Sequence, residues 1–247
     1  MGVAQAGVAF WPQTEISDLP RFVSGLFGEE YVEIAHPNVR EFDIRHGGDV
    51  MVQNFDGAIF VCSGDLVWGH LKDVNSDLLL LHHQLGSPAT FTVFCNYDSG
   101  GSYGYALVEN GVRKRSRLQT MGGPQLPPLI EYGAPTAIEQ RWLSAESYLE
   151  DDDGPIDERQ RMLYLEDPRV EIAEDDLTGR VLHETLIAQF GVCPWETEAE
   201  PVYHFYRAIS KMREIKTPEP PSTLPSGALL DAIQKQTRPW WRMLLGS

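Results

Sequence analysis

Arg113, Lys114, Arg115 and Arg117 place four of the chain's 20 Lys and Arg residues within five positions. Successive side chains of an extended strand point to opposite faces, so Arg113, Arg115 and Arg117 share one face and Lys114 takes the other. A row of guanidinium groups suits an anionic ligand or an acidic partner. The competing role is protective, because charges on an edge strand deter pairing with other chains. The opposite sign is concentrated at Glu150, Asp151, Asp152 and Asp153, just before Gly154. Such a run forms a solvated loop and presents a negative surface to a basic partner.

Motifs that would name a reaction are incomplete. His183-Glu184 opens like the H-E-x-x-H zinc site, whose two histidines stand one helical turn apart, but Ile187 occupies the second histidine's place. Residues 73–77 (DVNSD) begin like a calcium loop, yet Leu78 replaces the glycine required at the sixth position and Gln84 the glutamate at the twelfth. No metal is expected. His82 and His83 are neighbours, and neighbouring helical positions diverge by about 100°, so one is expected inside and the other in solvent. Residues 98–104 (DSGGSYG) make a Gly/Ser-rich loop whose amides could face an anion, but no P-loop lysine follows. There is no G-x-S-x-G elbow and no cofactor fingerprint. Cys62, Cys95 and Cys193 lie far apart and read as small buried hydrophobes. An active centre would have to be assembled from scattered residues such as His82, His83, Asp98 and the arginines of 113–117.

Composition narrows the setting. A formal net charge of −16 argues against nucleic-acid backbones and anionic membranes, both of which select basic faces. Apolar content of 42% and charged content of 23% are those of an ordinary soluble chain. A chain of this length buries roughly 70–75% of its unfolded surface, so neither disulfide nor metal is needed for folding. Three dispersed cysteines suit a reducing compartment. Residues 1–12 lack the pattern of a signal peptide. The longest apolar run, Leu78 to Leu81, is far too short for a membrane span. A cytoplasmic location is expected.

The elements that must position these residues begin with residues 91–118, which read as three consecutive strands. Asn110-Gly111 between two strand-like runs predicts a two-residue type I′ hairpin, and Asp56-Gly57 predicts another. Strands are further expected over 3–11, 39–45, 50–55 and 58–62. The last is apolar throughout and reads as central. A helix is predicted near 17–27, with Asp18 and Pro20 in its first turn and Gly28 at its end. A short buried helix is expected over 78–85. Thr136 and Glu139 match a capping box, opening a helix whose face carries Ile138, Trp142, Ala145 and Leu149. A further helix spans 177–190, closed by Gly191. Residues 202–207 have strand character, with a helix reaching Arg213 as the alternative. The architecture implied is α+β: a mostly antiparallel sheet over about 3–120, with helices on one face or at one end. One domain is expected over 1–215, then a proline-rich connector over 216–225 and a C-terminal amphipathic helical arm over 226–247.

Residues 60–66 (FVCSGDL), 103–113 (YGYALVENGVR) and the proline-rich turn through Glu131 together resemble a family of uncharacterised bacterial proteins. The resemblance covers the middle third of the chain and departs at the hairpin tip, where the family more often has Asp-Gly. It implies a bacterial origin and carries over no catalytic residue.

The arm holds Leu229, Leu230, Trp240, Trp241, Leu244 and Leu245. Burying one tryptophan of 150–250 Å² is worth up to roughly 4–6 kcal/mol, so these residues are expected to dock on the same chain, a second copy or another protein. The function expected is that of a non-catalytic protein-binding module of the bacterial cytosol, in the manner of an immunity protein or antitoxin, using acidic loops against a basic partner. The alternatives are an enzyme with the scattered site named above, and an assembly component that oligomerises through the arm.

Overall fold

The computed structural model describes residues 4–35, 37, 42–45, 47–122, 126–150, 155–156, 159–167 and 169–216. It divides into two compact units, Met1–Lys211 and Met212–Ser247. The arm residues Leu229, Leu230, Trp240, Trp241, Leu244 and Leu245 lie outside the described residues, as does the connector apart from Lys216.

A nine-stranded, wholly antiparallel sheet organises the first unit. At its centre lies β1 (Ala4–Phe10). On one side follow β4 (Ala58–Cys62), β3 (Asp49–Phe55), β12 (Val202–Ala208) and β2 (Tyr31–Glu33). On the other follow β5 (Thr90–Tyr97), β6 (Ser102–Glu109), β7 (Val112–Gln119) and β8 (Leu129–Tyr132). Both foreseen hairpin turns form. Asp56 and Gly57 take φ 49° and 102°, Asn110 and Gly111 take 48° and 77°, the doubly positive pair that matches the twist of the flanking strands. A separate three-stranded antiparallel sheet joins β9 (Glu146–Leu149), β10 (Arg161–Tyr164) and β11 (Glu171–Ala173).

The large sheet is covered on both faces, not on one face or end. Ala6, Val8 and Phe10 of β1 belong to one core with α1 (Leu19–Phe27), α2 (Trp68–Lys72) and α3 (Leu79–Gln84). Ala9 belongs to a second core with Trp142 of α4 (Ala137–Leu143) and much of α5 (Leu177–Phe190). The cause is visible in β4, where Ala58, Ile59, Phe60, Val61 and Cys62 are all buried. Side chains of both parities are apolar, so each face needs a cover.

Further differences from the sequence reading are local. The sheet extends past residue 120 through β8 and β12. The C-terminal strand inserts between β2 and β3, pairing Arg207 with both Val32 and Asp49. Residues 202–208 are strand, and the helix α6 (Ile209–Lys216) follows them. Of the strand expected over 39–45, residues 42–45 form none and 39–41 lie outside the described residues. The helix α4 stops at Leu143, so Ala145 and Leu149 leave its face and Leu149 joins β9. Among the described residues no helix is long and apolar enough to cross a membrane.

Candidate functional site

Strand parity sets the floor of a cleft on the face covered by α5. Phe94 of β5 and Tyr105 of β6 are register partners that belong to that core. Two residues along, Asn96 and Tyr103 are again partners and point the same way. The first turns of α5 pass above them. A Cβ at Gly179 would sit 3.0 Å from the Tyr103 ring, so only a glycine lets the helix approach so closely. Trp195, in the segment after α5, packs 5.9 Å from the Phe94 ring. Together these elements enclose a cleft of about 350 Å³ that is also lined by Asp98, Asp176, His183 and Glu196.

The electrostatics of the cleft are acidic. Tyr103 donates from its hydroxyl to Asp98 Oδ1 at 3.3 Å, and Asp176 lies near enough to interact electrostatically with it. Partial desolvation of this largely exposed carboxyl, with Asp175 and Asp98 close by, pushes Asp176 up from its ordinary range. Burial, with Asp176 and Asp98 close by, pushes the Tyr103 phenol up to about 12. His183 places Nε2 3.0 Å from Glu196 Oε2. In the sequence His183 stood out only as part of an incomplete zinc motif, and Asp176 only as the residue before the helix over 177–190. The available signal was Asn96, a polar side chain that follows the largely apolar stretch 91–95 (FTVFC).

The arginine row is divided between the two faces and spent inside the fold. Pairing shifts by one residue between Leu107 and Val108, so Arg113 opposes Val108 while Arg115 opposes Leu107. Lys114 is the extra residue of that bulge, and simple alternation fails there. Arg113 turns to the α2–α3 side, donating to Ser76 Oγ at 2.9 Å and Asp73 O at 3.4 Å. Arg115 and Arg117 turn to the α4–α5 side. Arg115 donates to both Glu139 oxygens at 3.0 and 2.9 Å and also to Glu131. Arg117 donates to Thr178 Oγ1 at 2.9 Å and Glu131 Oε1 at 2.6 Å. All three arginines are buried. The strand is not an edge, because β8 covers it.

The remaining candidates do not converge. His82 is buried, with Nε2 3.1 Å from Pro88 O and its ring stacked on Phe91, on the α1–α3 side of the sheet. Its neighbour His83 is exposed. Asp98 lies across the sheet, in the cleft beside α5. Glu150 is exposed, while Asp151, Asp152 and Asp153 lie outside the described residues. All three cysteines are buried, and burial pushes the Cys62 and Cys193 thiols up to about 12 and Cys95 higher still. None supplies a thiolate at neutral pH.

A second buried ion group anchors β12. Asp49 is fully buried and receives Arg207 Nε at 2.7 Å, Lys211 Nζ at 2.7 Å and the Asp43 amide at 2.9 Å. Burial opposes ionisation of Asp49, but these donors outweigh it and hold its carboxyl below the usual range. Glu131 is depressed for the same balance of reasons, through Arg115 and Arg117. A carboxyl depressed in the fold stabilises above its unfolded pKa, about 4, and that contribution disappears as pH falls through the folded value. Urea midpoints measured from pH 7 to pH 2.5 should therefore fall below about pH 4. Asp49→Asn should start lower at pH 7 and show a shallower acid loss; an unchanged acid slope would show that Asp49 carries none of it.

The chain matches no protein-family model, and no curated protein or solved structure shows detectable similarity to it.

Proposed function

We propose that the protein is a non-catalytic binding protein that engages a basic partner protein through the acidic cleft beside α5, in the manner of a bacterial cytosolic immunity protein. The observation that carries this reading is the sorting of charge. Arg115 and Arg117 are neutralised inside by Glu131 and Glu139, while Asp98, Asp176 and Glu196 stand exposed at one opening. Those internal pairs cancel, so neither buried arginine offsets the cleft carboxylates, and the chain's net charge of −16 leaves its exterior strongly negative. That field accelerates encounter with a basic surface and rejects acidic competitors.

The scattered-site enzyme has less support. His82 packs in the core on the α1–α3 side while Asp98 lines the cleft on the α5 side, so the two do not meet at one reacting atom.

The test is affinity capture from host lysate by the full chain, beside the Asp98→Asn/Asp176→Asn/Glu196→Gln triple variant. A basic protein should be recovered stoichiometrically at low salt, be released as salt rises and be lost with the triple variant. Equal recovery by the triple variant, or no recovery by the unaltered chain, would refute the reading.

A further inference from the structure

Asn96, at the floor of the cleft, is only 7% exposed. Among the described residues no hydrogen bond reaches its side-chain amide, although it lines the cleft. A buried amide is normally paired, so one that opens into a cleft offers itself to a ligand. His183 also lines the cleft, with Nε2 3.0 Å from Glu196 Oε2. At the rim, Asp98 accepts from the Tyr103 hydroxyl, and Asp176 lines the same opening close enough to feel the Asp98 charge. Like charges gathered without a cation between them favour an incoming one. The sole arginine or lysine among the described lining residues, Arg180, is committed elsewhere. Its Nε lies 2.9 Å from Glu184 Oε1 and its guanidinium sits over the Trp142 ring.

The shape of the acceptor set selects among cations. Among the described residues no three His, Cys, Asp or Glu side chains converge on a metal position. Acceptors are instead spread from the Asp98 and Asp176 rim to the Asn96 floor, with the Trp195 ring in the wall. A compact ammonium reaches only part of that set. A planar guanidinium carries five donors in a fixed fork and stacks on aromatic faces. We infer that this cleft binds a guanidinium group on an alkyl stem. The inference rests on the reading of the cleft as the recognition surface and specifies what it recognises. The group has two sources, an arginine side chain of the basic partner or a small free guanidine compound.

Calorimetric titration of the full chain with agmatine, N-acetyl-arginine amide and N-acetyl-citrulline amide provides the test. The two guanidines should saturate one site, and the uncharged citrulline analogue should not. Asn96→Leu and Asp176→Asn should each weaken agmatine at least tenfold. Asp176 makes no side-chain capping bond to α5, so its variant should keep the parent melting temperature and serve as the folded control. Tighter binding of agmatine would identify a free compound as the source. Tighter binding of N-acetyl-arginine amide would identify a protein side chain. Absence of saturable guanidine binding, equal binding of the citrulline analogue, or binding untouched by both variants would overturn the inference. Loss of guanidine binding with partner capture still dependent on Asp98, Asp176 and Glu196 would sink the inference alone. Saturable agmatine binding with capture independent of those carboxylates would support the inference and remove the partner reading.

Discussion

Glu139→Ala should destabilise the fold by about 3–5 kcal/mol, the cost of leaving a buried ion without its partner. The Glu139 side chain is 1% exposed and that of Arg115 4%. Three donor contacts of Arg115, at 3.0, 2.9 and 2.6 Å, end on the Glu139 carboxylate. The same carboxylate accepts from the Thr136 amide at 2.8 Å and so closes the capping box of α4, which adds about 1 kcal/mol to the loss. Arg115 keeps Glu131 and the carbonyls of Tyr132 and Gly133, but Glu131 is partly exposed and already shared with Arg117. A large single-variant loss does not mean that the pair is a large net stabiliser. Desolvating both ions offsets most of their attraction, so Arg115→Met combined with Glu139→Leu should recover most of the stability. Urea unfolding of the two single variants and the double variant measures the coupling. A Glu139→Ala loss below about 1 kcal/mol, within the range of an exposed pair, would show that Glu131 and the carbonyls suffice.

The contrast between what was legible in the sequence and what was not follows the range of the interactions. Asn110-Gly111 and Asp56-Gly57 were legible because a doubly positive turn is a property of two adjacent residues. Thr136 and Glu139 were legible because their reciprocal capping closes within three residues. The helix α5 was found over the observed Leu177–Phe190, ending at Gly191 in the left-handed conformation. The small sheet was missed because β9, β10 and β11 are three or four residues each, too short for a periodicity to develop. The insertion of β12 between β2 and β3 depends on pairing across more than 150 residues, as in Arg207 with Asp49, and no local pattern encodes it.

The site was less legible than the fold. A one-residue bulge at Lys114 moved Arg113 to the opposite face, so three arginines read as one surface became two separate internal anchors. Their burial required partners that sequence spacing does not announce: Glu139 lies 24 positions from Arg115 and Thr178 lies 61 from Arg117. The cleft draws on β5, β6, α5 and the segment after it, and its polar residues acquire common purpose only when the helix is laid over the sheet. Asn96 broke a local rule, as a polar residue in a mostly apolar buried strand whose side chain finds no partner among the described residues. Such violations are where functional sites are expected.

Two-sided burial of the sheet makes a second prediction of comparable size, Phe60→Ala at about 3–5 kcal/mol. Phe60 is fully buried, and its ring lies 5.5 Å from Phe55, 6.0 Å from Phe94 and 5.5 Å from Phe190, at steep angles to each. Through Phe190 it ties β4 to the end of α5. Removing the ring opens a cavity that neighbouring strands, fixed by their hydrogen bonds, cannot close. Its neighbour Val61 is equally buried but packs in the other core, with α1, α2 and α3. A sheet covered on one face would show a large loss at one of these positions and almost none at the next. A sheet covered on both should lose stability at each, with Val61→Ala costing roughly 1–3 kcal/mol for its smaller side chain. Denaturant unfolding of the two single variants decides between these arrangements, and a Val61→Ala change near zero would mean that the face beneath α1 and α3 is open to water.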